Sequence, residues 1–202
     1  MSPNSLSPIE LKAVSERSLQ RAGDSLSALL GHGVRLSTSG VETLALENLS
    51  GLGGLEAQGP LAALTFGIGG DGEGMLLILF PMTTVVRMLS TLLGGQAGSN
   101  QLSALEESAL REIGNILASS FLSELADLTG RRYLPSPPQI HLEGVPQLAA
   151  EMREALSRLG SDVVVVQGLF EDAVQHIQGR FFILPEMLGV RPGAQRGKEH
   201  KV

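Results

Sequence analysis

The sequence predicts an α/β domain of the α+β type, made of two related halves with two long helices packed on one mostly antiparallel sheet. Three observations carry this prediction. A helix-opening pattern, serine followed three residues later by glutamate, occurs at Ser7 and again at Ser103. A glycine ends each predicted helix, at Gly31 and at Gly130. Later in each half an apolar strand ends at a proline, so the same order of elements is used twice.

Superimposing the two terminal glycines gives an offset of 99 residues between the halves. Any two amphipathic helices can be aligned at apolar positions, but the strand at 74–81 also recurs at 179–185, which favours an internal duplication. We expect one domain over 1–190, with halves at about 8–95 and 103–188. The offset places apolar residues of the first helix on apolar residues of the second: Leu11 on Leu110, Val14 on Ile113, Leu26 on Leu125 and Leu29 on Leu128.

The composition excludes several classes of function. The chain has 202 residues, of which 43% are hydrophobic and 18% charged, as is typical of a folded protein. A net charge of −6 disfavours nucleic-acid binding, and the lack of cysteine excludes disulfides, thiolate catalysis and cysteine zinc sites. We find neither a signal-peptide pattern nor an apolar run of membrane-spanning length, so we expect a cytoplasmic protein that binds no membrane. The basic tail, 191–202, is expected to be disordered.

The remaining elements follow from caps, turn residues and apolar periodicity. In the first half we expect helices at 8–30 and 82–93, and strands at 34–37, 42–47, 61–67 and 75–80. In the second half we expect a helix from 104 to 128, an amphipathic helix at 145–159, and extended segments at 131–134, 139–141, 163–170 and 180–184.

The helix that follows Ser103 carries the candidate site. Its apolar stripe, which we expect to face the core, consists of Leu110, Ile113, Leu117, Phe121, Leu125 and Leu128. The nearly opposite side carries a polar stripe, flanked by Leu105, Ile116 and Leu122 and made of Ser108, Glu112, Asn115 and Ser119. A carboxylate and a carboxamide three residues apart share a helix face, so together they can address one reacting centre.

A glutamate and an asparagine on an exposed helix face are usually no more than solvated side chains. Two features favour a function here. Asparagine is a mediocre helix former, so helix propensity does not explain Asn115. Downstream, Pro137 and Pro138 would fix the chain that returns from this helix.

The pattern of Ser108, Glu112 and Asn115, followed after 22 residues by Pro138, resembles the signature of the CheC/CheX/FliY phosphatases of bacterial chemotaxis. The neighbouring text at 109–116, 128–130 and 136–138 is similar too, and the resemblance covers roughly residues 8–188. It implies an enzyme that hydrolyses the aspartyl phosphate of a CheY-like response regulator. It also implies a duplicated fold in which each long helix can carry a copy of the motif.

The first half departs from that motif. At the offset of 99, the four motif residues correspond to Ile9, Ala13, Glu16 and Ser39, so neither the acid nor the amide is present. We therefore expect one active centre per chain, and we assign the first helix a packing role.

The resemblance assigns a role to each motif residue. Asn115 would enter the receiver site and orient the attacking water, and Glu112 would pair with the receiver's lysine. Ser108 would tune the helix surface, and Pro138 would support the loop beside the site. The chain needs no cofactor of its own, since the Mg²⁺ of this reaction would belong to the receiver.

A noncatalytic adaptor that binds a receiver or a CheD-like protein is the alternative from another functional class. A flagellar-switch component of the FliY type is a third reading, ranked lower because those proteins carry an additional domain after the phosphatase region.

Other patterns favour ordinary structure. Gly67-x-Gly69-x-x-Gly72 matches a dinucleotide-binding fingerprint by letters, but a predicted strand follows it, so a hairpin turn is the better interpretation. The four histidines lack zinc-ligand spacing, and Met82 and Met88 are expected to fill the core.

Overall fold

The computed structural model describes residues 7–45, 60–71, 74–95, 102–143, 162–172, 174 and 177–186. These residues form three helices and a seven-stranded sheet, which confirms the predicted α+β class. The predicted helix at 145–159 and the tail at 191–202 lie outside the described residues. The helices are α1 (Pro8–Leu30), α2 (Met82–Leu93) and α3 (Ala104–Thr129), and the strands are β1 (Val34–Ala45), β2 (Leu61–Gly70), β3 (Gly74–Pro81), β4 (Tyr133–Pro135), β5 (Gln139–Glu143), β6 (Asp162–Asp172) and β7 (Ile177–Glu186).

Local chemistry fixes the ends of the two long helices where the sequence predicts them. Each opens with a complete capping box, in which the serine side chain accepts the third backbone N–H and the glutamate accepts the serine N–H. Gly31 and Gly130 end α1 and α3 in the left-handed conformation, at φ 73° and 68°. Because a glycine adopts this φ without strain, it stops a helix cleanly.

The first edge of the sheet differs from the prediction of two short strands at 34–37 and 42–47. A single strand, β1, pairs with β6 along its whole length, and the register shifts between Thr38 and Gly40. A β-bulge there accommodates Ser39, because one extra residue can be inserted without ending the strand. The polar and glycine residues that resemble a turn therefore belong to an irregular strand.

The sheet has a symmetric strand order. Read from either end, the order is the same once each strand is replaced by its counterpart in the other half. The order is β1-β6-β7-β3-β2, with β4 and β5 both pairing β2 at the last edge, and every pairing is antiparallel. Exchanging β1 with β4 and β5, β2 with β6, and β3 with β7 reverses this order onto itself. The central pairing is that of β3 with β7, which includes the pair Ile78–Ile183. Two related halves predict this arrangement.

All three helices contribute to a hydrophobic core on one face of this sheet. Five residues of the predicted α3 stripe are at most 3% exposed: Leu110, Ile113, Leu117, Phe121 and Leu125. Leu128 is 39% exposed, so its assignment to the core is wrong; it lies in the last turn, where burial ends. Leu122, expected beside the polar stripe, is 3% exposed because α3 packs against α1 as well as against the sheet, which widens its buried face.

Candidate active site

The four residues of the polar stripe lie on the outward side of α3. Ser108, Glu112 and Ser119 are exposed, and Asn115 is half-buried. Ile116 beside them is half-buried against the core, and Leu105, near the N-terminus of the helix, is 65% exposed. The structure thus places Glu112 and Asn115, which we term the acid–amide couple, at the surface, where another protein can reach them.

Gly114, a residue that the sequence analysis missed, brings the helix against the sheet directly behind this couple. A Cβ at Gly114 would overlap Cδ2 of Leu64 and lie 3.3 Å from Cζ of Phe66, both on β2. Glycine allows this approach without displacing the Leu64 side chain, although a helix-interior glycine costs about 1 kcal/mol relative to alanine. A glycine in the middle of a predicted helix is therefore a sequence signal that could have indicated the close contact.

Pro138 belongs to a short interruption between β4 and β5, residues 136–138, which we term the proline break. Prolines lack the N–H that a strand ladder requires, so consecutive prolines split this edge into two short strands. The Ser136 N–H donates to the Gly67 carbonyl (2.8 Å), and the Gly67 N–H donates to Ser136 Oγ (3.0 Å). These two bonds attach the proline break to β2, and Pro138 itself is buried.

Arg111, also missed from the sequence, links the proline break to α3. Its guanidinium donates a hydrogen bond to the Pro138 carbonyl, across 27 residues of sequence. The structure therefore connects Pro138 to the helix that carries the acid–amide couple, at the residue next to Glu112. An arginine preceding a candidate acid offers little sequence signal by itself, since the partner is a backbone carbonyl in an irregular segment.

The corresponding surface of α1 has different chemistry. Ile9 is 82% exposed, Ala13 is half-buried, and Glu16 is exposed, with its carboxylate 3.8 Å from the Lys12 ammonium. Ser39 lies at the bulge of β1, and its hydroxyl donates to the Gln167 carbonyl (3.3 Å).

Charged hydrogen bonds join α3 to α1 nearer the C-terminal end of α3. Arg17 Nε and Arg21 Nη1 donate to the two carboxylate oxygens of Glu124, at 2.8 and 2.9 Å. Hydrogen bonds from Arg17 and then Arg21 hold the pKa of the Glu124 carboxyl below its ordinary value, and burial opposes them. Because the Glu124 side chain is only 10% exposed, this carboxylate fixes the seam between the helices.

Several of the competing patterns also have a structural outcome. β2 and β3 form an antiparallel pair, so the glycines at 67–70 belong to a hairpin rather than to a strand–turn–helix phosphate site. Met82 and Met88 are buried in the core as predicted. Among the described residues no group of three histidine, aspartate or glutamate side chains is arranged to hold a metal. No helix in the described part of the chain is long and apolar enough to cross a membrane.

The fold is shared with proteins of known structure. FliY of Thermotoga maritima superimposes with a TM-score of 0.74 at 18% identity, covering 89% of this chain and 90% of that one. The FliM middle domain from H. pylori gives a TM-score of 0.66 at 14% identity, with coverages of 89% and 92%. At such low identity the likeness defines the class of fold.

Sequence comparison defines the family more closely. The model described as "CheC-like family" matches residues 105–142, which include all four motif residues. The CheY-P phosphatase CheC of Bacillus subtilis (strain 168) is 30% identical over 176 residues, 82% of each chain. The putative CheY-P phosphatase CheC1 of Halobacterium salinarum is 37% identical over 68 residues, 33% of this chain and 35% of its own. The chain belongs to the CheC-like family.

Proposed function

We propose that this protein accelerates hydrolysis of the aspartyl phosphate on a CheY-like receiver domain, and so acts in chemotaxis or a related two-component pathway. The observation that carries the proposal is the acid–amide couple at the surface of α3, inside the segment that matches the family. The relative from Bacillus subtilis, which aligns over most of the chain, is named as a CheY-P phosphatase.

Asn115 supplies what such a reaction needs from a partner protein. Phosphoryl transfer depends mainly on positioning and electrostatic stabilisation, and the receiver brings its own Mg²⁺ and lysine. A carboxamide both donates and accepts hydrogen bonds, so Asn115 can orient a water for in-line attack. Its half-buried position on a rigid helix limits the conformations that it can adopt.

Glu112 gives the docked complex its register by pairing with the receiver's lysine. An exposed carboxylate is a weak general base at neutral pH, so we assign Glu112 to docking rather than to proton abstraction. Ser108, one turn earlier, contributes to the same surface, and Pro138 supports the segment beside it.

The proposal is tested by timing phosphate loss from a phosphorylated receiver with and without this protein. We expect faster loss in its presence, and Glu112→Ala should require a higher receiver concentration for half-maximal rate. An unchanged rate of phosphate loss with the wild-type protein would overturn the proposed activity. An unchanged dependence on receiver concentration in Glu112→Ala would overturn the docking role.

A noncatalytic adaptor is the second candidate, and one observation favours it. The first half presents Ala13 and Glu16 where a second acid–amide couple would lie, so part of the surface lacks catalytic side chains. Such an adaptor would bind a receiver or a CheD-like partner without accelerating phosphate loss, and the same assay combined with a binding measurement separates the two functions.

A further inference from the structure

We infer that Arg111 is a positioning residue for the acid–amide couple, because its guanidinium holds the proline break against α3 one helical turn from Asn115. The inference rests on the proposed function of this site and extends it to a residue outside the motif. It concerns where the break lies relative to the helix rather than any contact with phosphate.

Two contacts from different directions fix the Arg111 side chain. One guanidinium nitrogen, Nη1, donates to the Pro138 carbonyl. The other, Nη2, lies 3.8 Å from Oε2 of Glu107, one helical turn earlier. The planar guanidinium can serve both partners in one orientation, and the Arg111 side chain is 41% exposed.

The proline break requires such a tether because its backbone cannot be held by a ladder alone. Pro135, Pro137 and Pro138 have no N–H to donate, and the flanking strands are only three and five residues long. Ser136 attaches the start of the break to β2 through its bonds with Gly67. The bond from Arg111 attaches the end of the break to α3, so the segment is fixed to two elements instead of one.

The first half shows the same position without this tether. At the offset of 99, Arg111 corresponds to Lys12 and Pro138 to Ser39. The Lys12 ammonium lies 3.8 Å from Glu16 on its own helix, and Ser39 bonds to Gln167 of the neighbouring strand. In the first half a helix-to-edge hydrogen bond occurs at a different place, between Ser27 of α1 and Val34 at the start of β1. At the position equivalent to Arg111 and Pro138, such a bond occurs in the half that carries the acid–amide couple, where the edge strand is interrupted.

Placement of the break matters to the site because Arg111 lies one turn before Asn115, on the same side of α3. A receiver that engages Glu112 and Asn115 would meet the surface formed by α3 and the break together. Small misplacements of groups around a reacting centre can cost up to about 10²-fold in rate. With its donors directed to Pro138 and Glu107, Arg111 acts through that surface and not on the phosphoryl group.

The inference is tested with Arg111→Met and Arg111→Lys, and with Lys12→Met as the matched control in the first half. We expect Arg111→Met to lower kcat about tenfold while the KM for the phosphorylated receiver changes less than about twofold. Arg111→Lys should recover part of kcat, because a lysine can still donate to the Pro138 carbonyl. Lys12→Met should leave both parameters unchanged.

Hydrogen exchange gives a readout that does not depend on activity. The Ser136 amide, which donates to Gly67, should exchange faster in Arg111→Met than in the wild type and in Lys12→Met. Unchanged Ser136 exchange together with unchanged kcat in Arg111→Met would overturn the inference. The proposed function would still stand in that case if Asn115→Ala is inactive. A wild-type protein that fails to accelerate phosphate loss would overturn the proposed function, and with it the catalytic role of Arg111.

Discussion

The two long helices, α1 and α3, bury equivalent positions and differ on the faces that they expose. Three pairs related by the offset of 99 are at most 3% exposed on both helices: Leu11 and Leu110, Val14 and Ile113, Leu26 and Leu125. On the outer faces, Glu112 corresponds to Ala13 and Asn115 to Glu16. The inner face of each helix thus builds the shared core, while the outer faces differ at the positions of the candidate site.

The two edges of the sheet also differ between the halves. Ser39 lies at the bulge of β1, and its counterpart Pro138 lies in the break between β4 and β5. Both edges are irregular at the equivalent point, but one stays a continuous strand whereas the other is interrupted and tied to its helix by Arg111. Two differences, the outer helix face and the adjoining edge, therefore separate the half with the candidate site from the half without it.

The largest effect should follow from removing the amide of the second half. Asn115→Ala should lower stimulated phosphate release about 10²-fold, because it removes the side chain that we propose orients the water. The fold should be intact, since Asn115 is only half-buried. The measurement is the initial rate with a phosphorylated receiver, alongside circular dichroism and thermal unfolding.

The matched control is Glu16→Ala, which truncates the equivalent residue of α1. The ion pair between Glu16 and Lys12 is exposed to solvent and so contributes little to the free energy of unfolding. Neither the rate of phosphate release nor the stability should change appreciably. Equal rates for Asn115→Ala and Glu16→Ala would remove the functional difference between the halves.

Gly114→Val should give the largest loss of stability. Its Cβ would overlap Cδ2 of the fully buried Leu64, so either that side chain or α3 must shift within the packed core. We expect the free energy of unfolding to fall by about 2–3 kcal/mol, as measured by urea denaturation. Ser119→Val, at an exposed position of the same helix, controls for helix propensity. Equal losses in both variants would contradict the close contact.

A smaller effect should come from the seam between the halves, which is asymmetric because α1 supplies the arginines and α3 the acid. Glu124→Gln should lower the free energy of unfolding by about 1 kcal/mol at pH 7, because two charge-assisted hydrogen bonds are weakened. Arg17 and Arg21 are half-exposed, so solvent screening keeps the effect modest.

The pH dependence of this difference follows from the lowered pKa of Glu124. The stabilisation is fully present above the unfolded-state pKa, near ~4.3, and is lost as the pH falls through the lower folded-state pKa. The stability difference between wild type and Glu124→Gln should therefore shrink as the pH is lowered from about 5 towards 3. A difference that stays constant over this range would contradict the charged role of Glu124.

The smallest effect should come from copying the missing residues into the first half. We expect Ala13→Glu combined with Glu16→Asn to raise the rate per chain by less than about twofold. The double variant still has Lys12 and Ser39 where the second half has Arg111 and Pro138, so the edge beside the new couple is not fixed in the same way. A full doubling would mean that the couple suffices without its tether.

The features predictable from the sequence are those set by neighbouring residues. The caps at Ser7 and Ser103 and the terminal glycines fixed both ends of α1 and α3, because each relies on contacts within one turn. Apolar periodicity identified most of the α3 core in the same way. Burial of Leu122 was not predictable, because it depends on the packing of α1 alongside α3.

The site was only partly predictable for the same reason. Ser108, Glu112, Asn115 and Pro138 form a pattern of letters, and their roles stay predictions until activity is measured. The contacts of Arg111 and Gly114 join α3 to segments distant in sequence. Apolar periodicity within α3 does not predict such contacts. The bulge at Ser39 was likewise hidden, since only pairing with β6 reveals that the strand continues.

The strand order has a consequence for how the two halves depend on each other. β1 of the first half is held by β6 of the second, and β4 and β5 of the second half are held by β2 of the first. The outermost strands of each half therefore pair with a strand of the other half. Removing either half would leave backbone hydrogen-bonding groups of the other half unpaired. The half that lacks the acid–amide couple is for that reason needed for the fold. Removing it would also disrupt the sheet against which α3, with Glu112 and Asn115, packs.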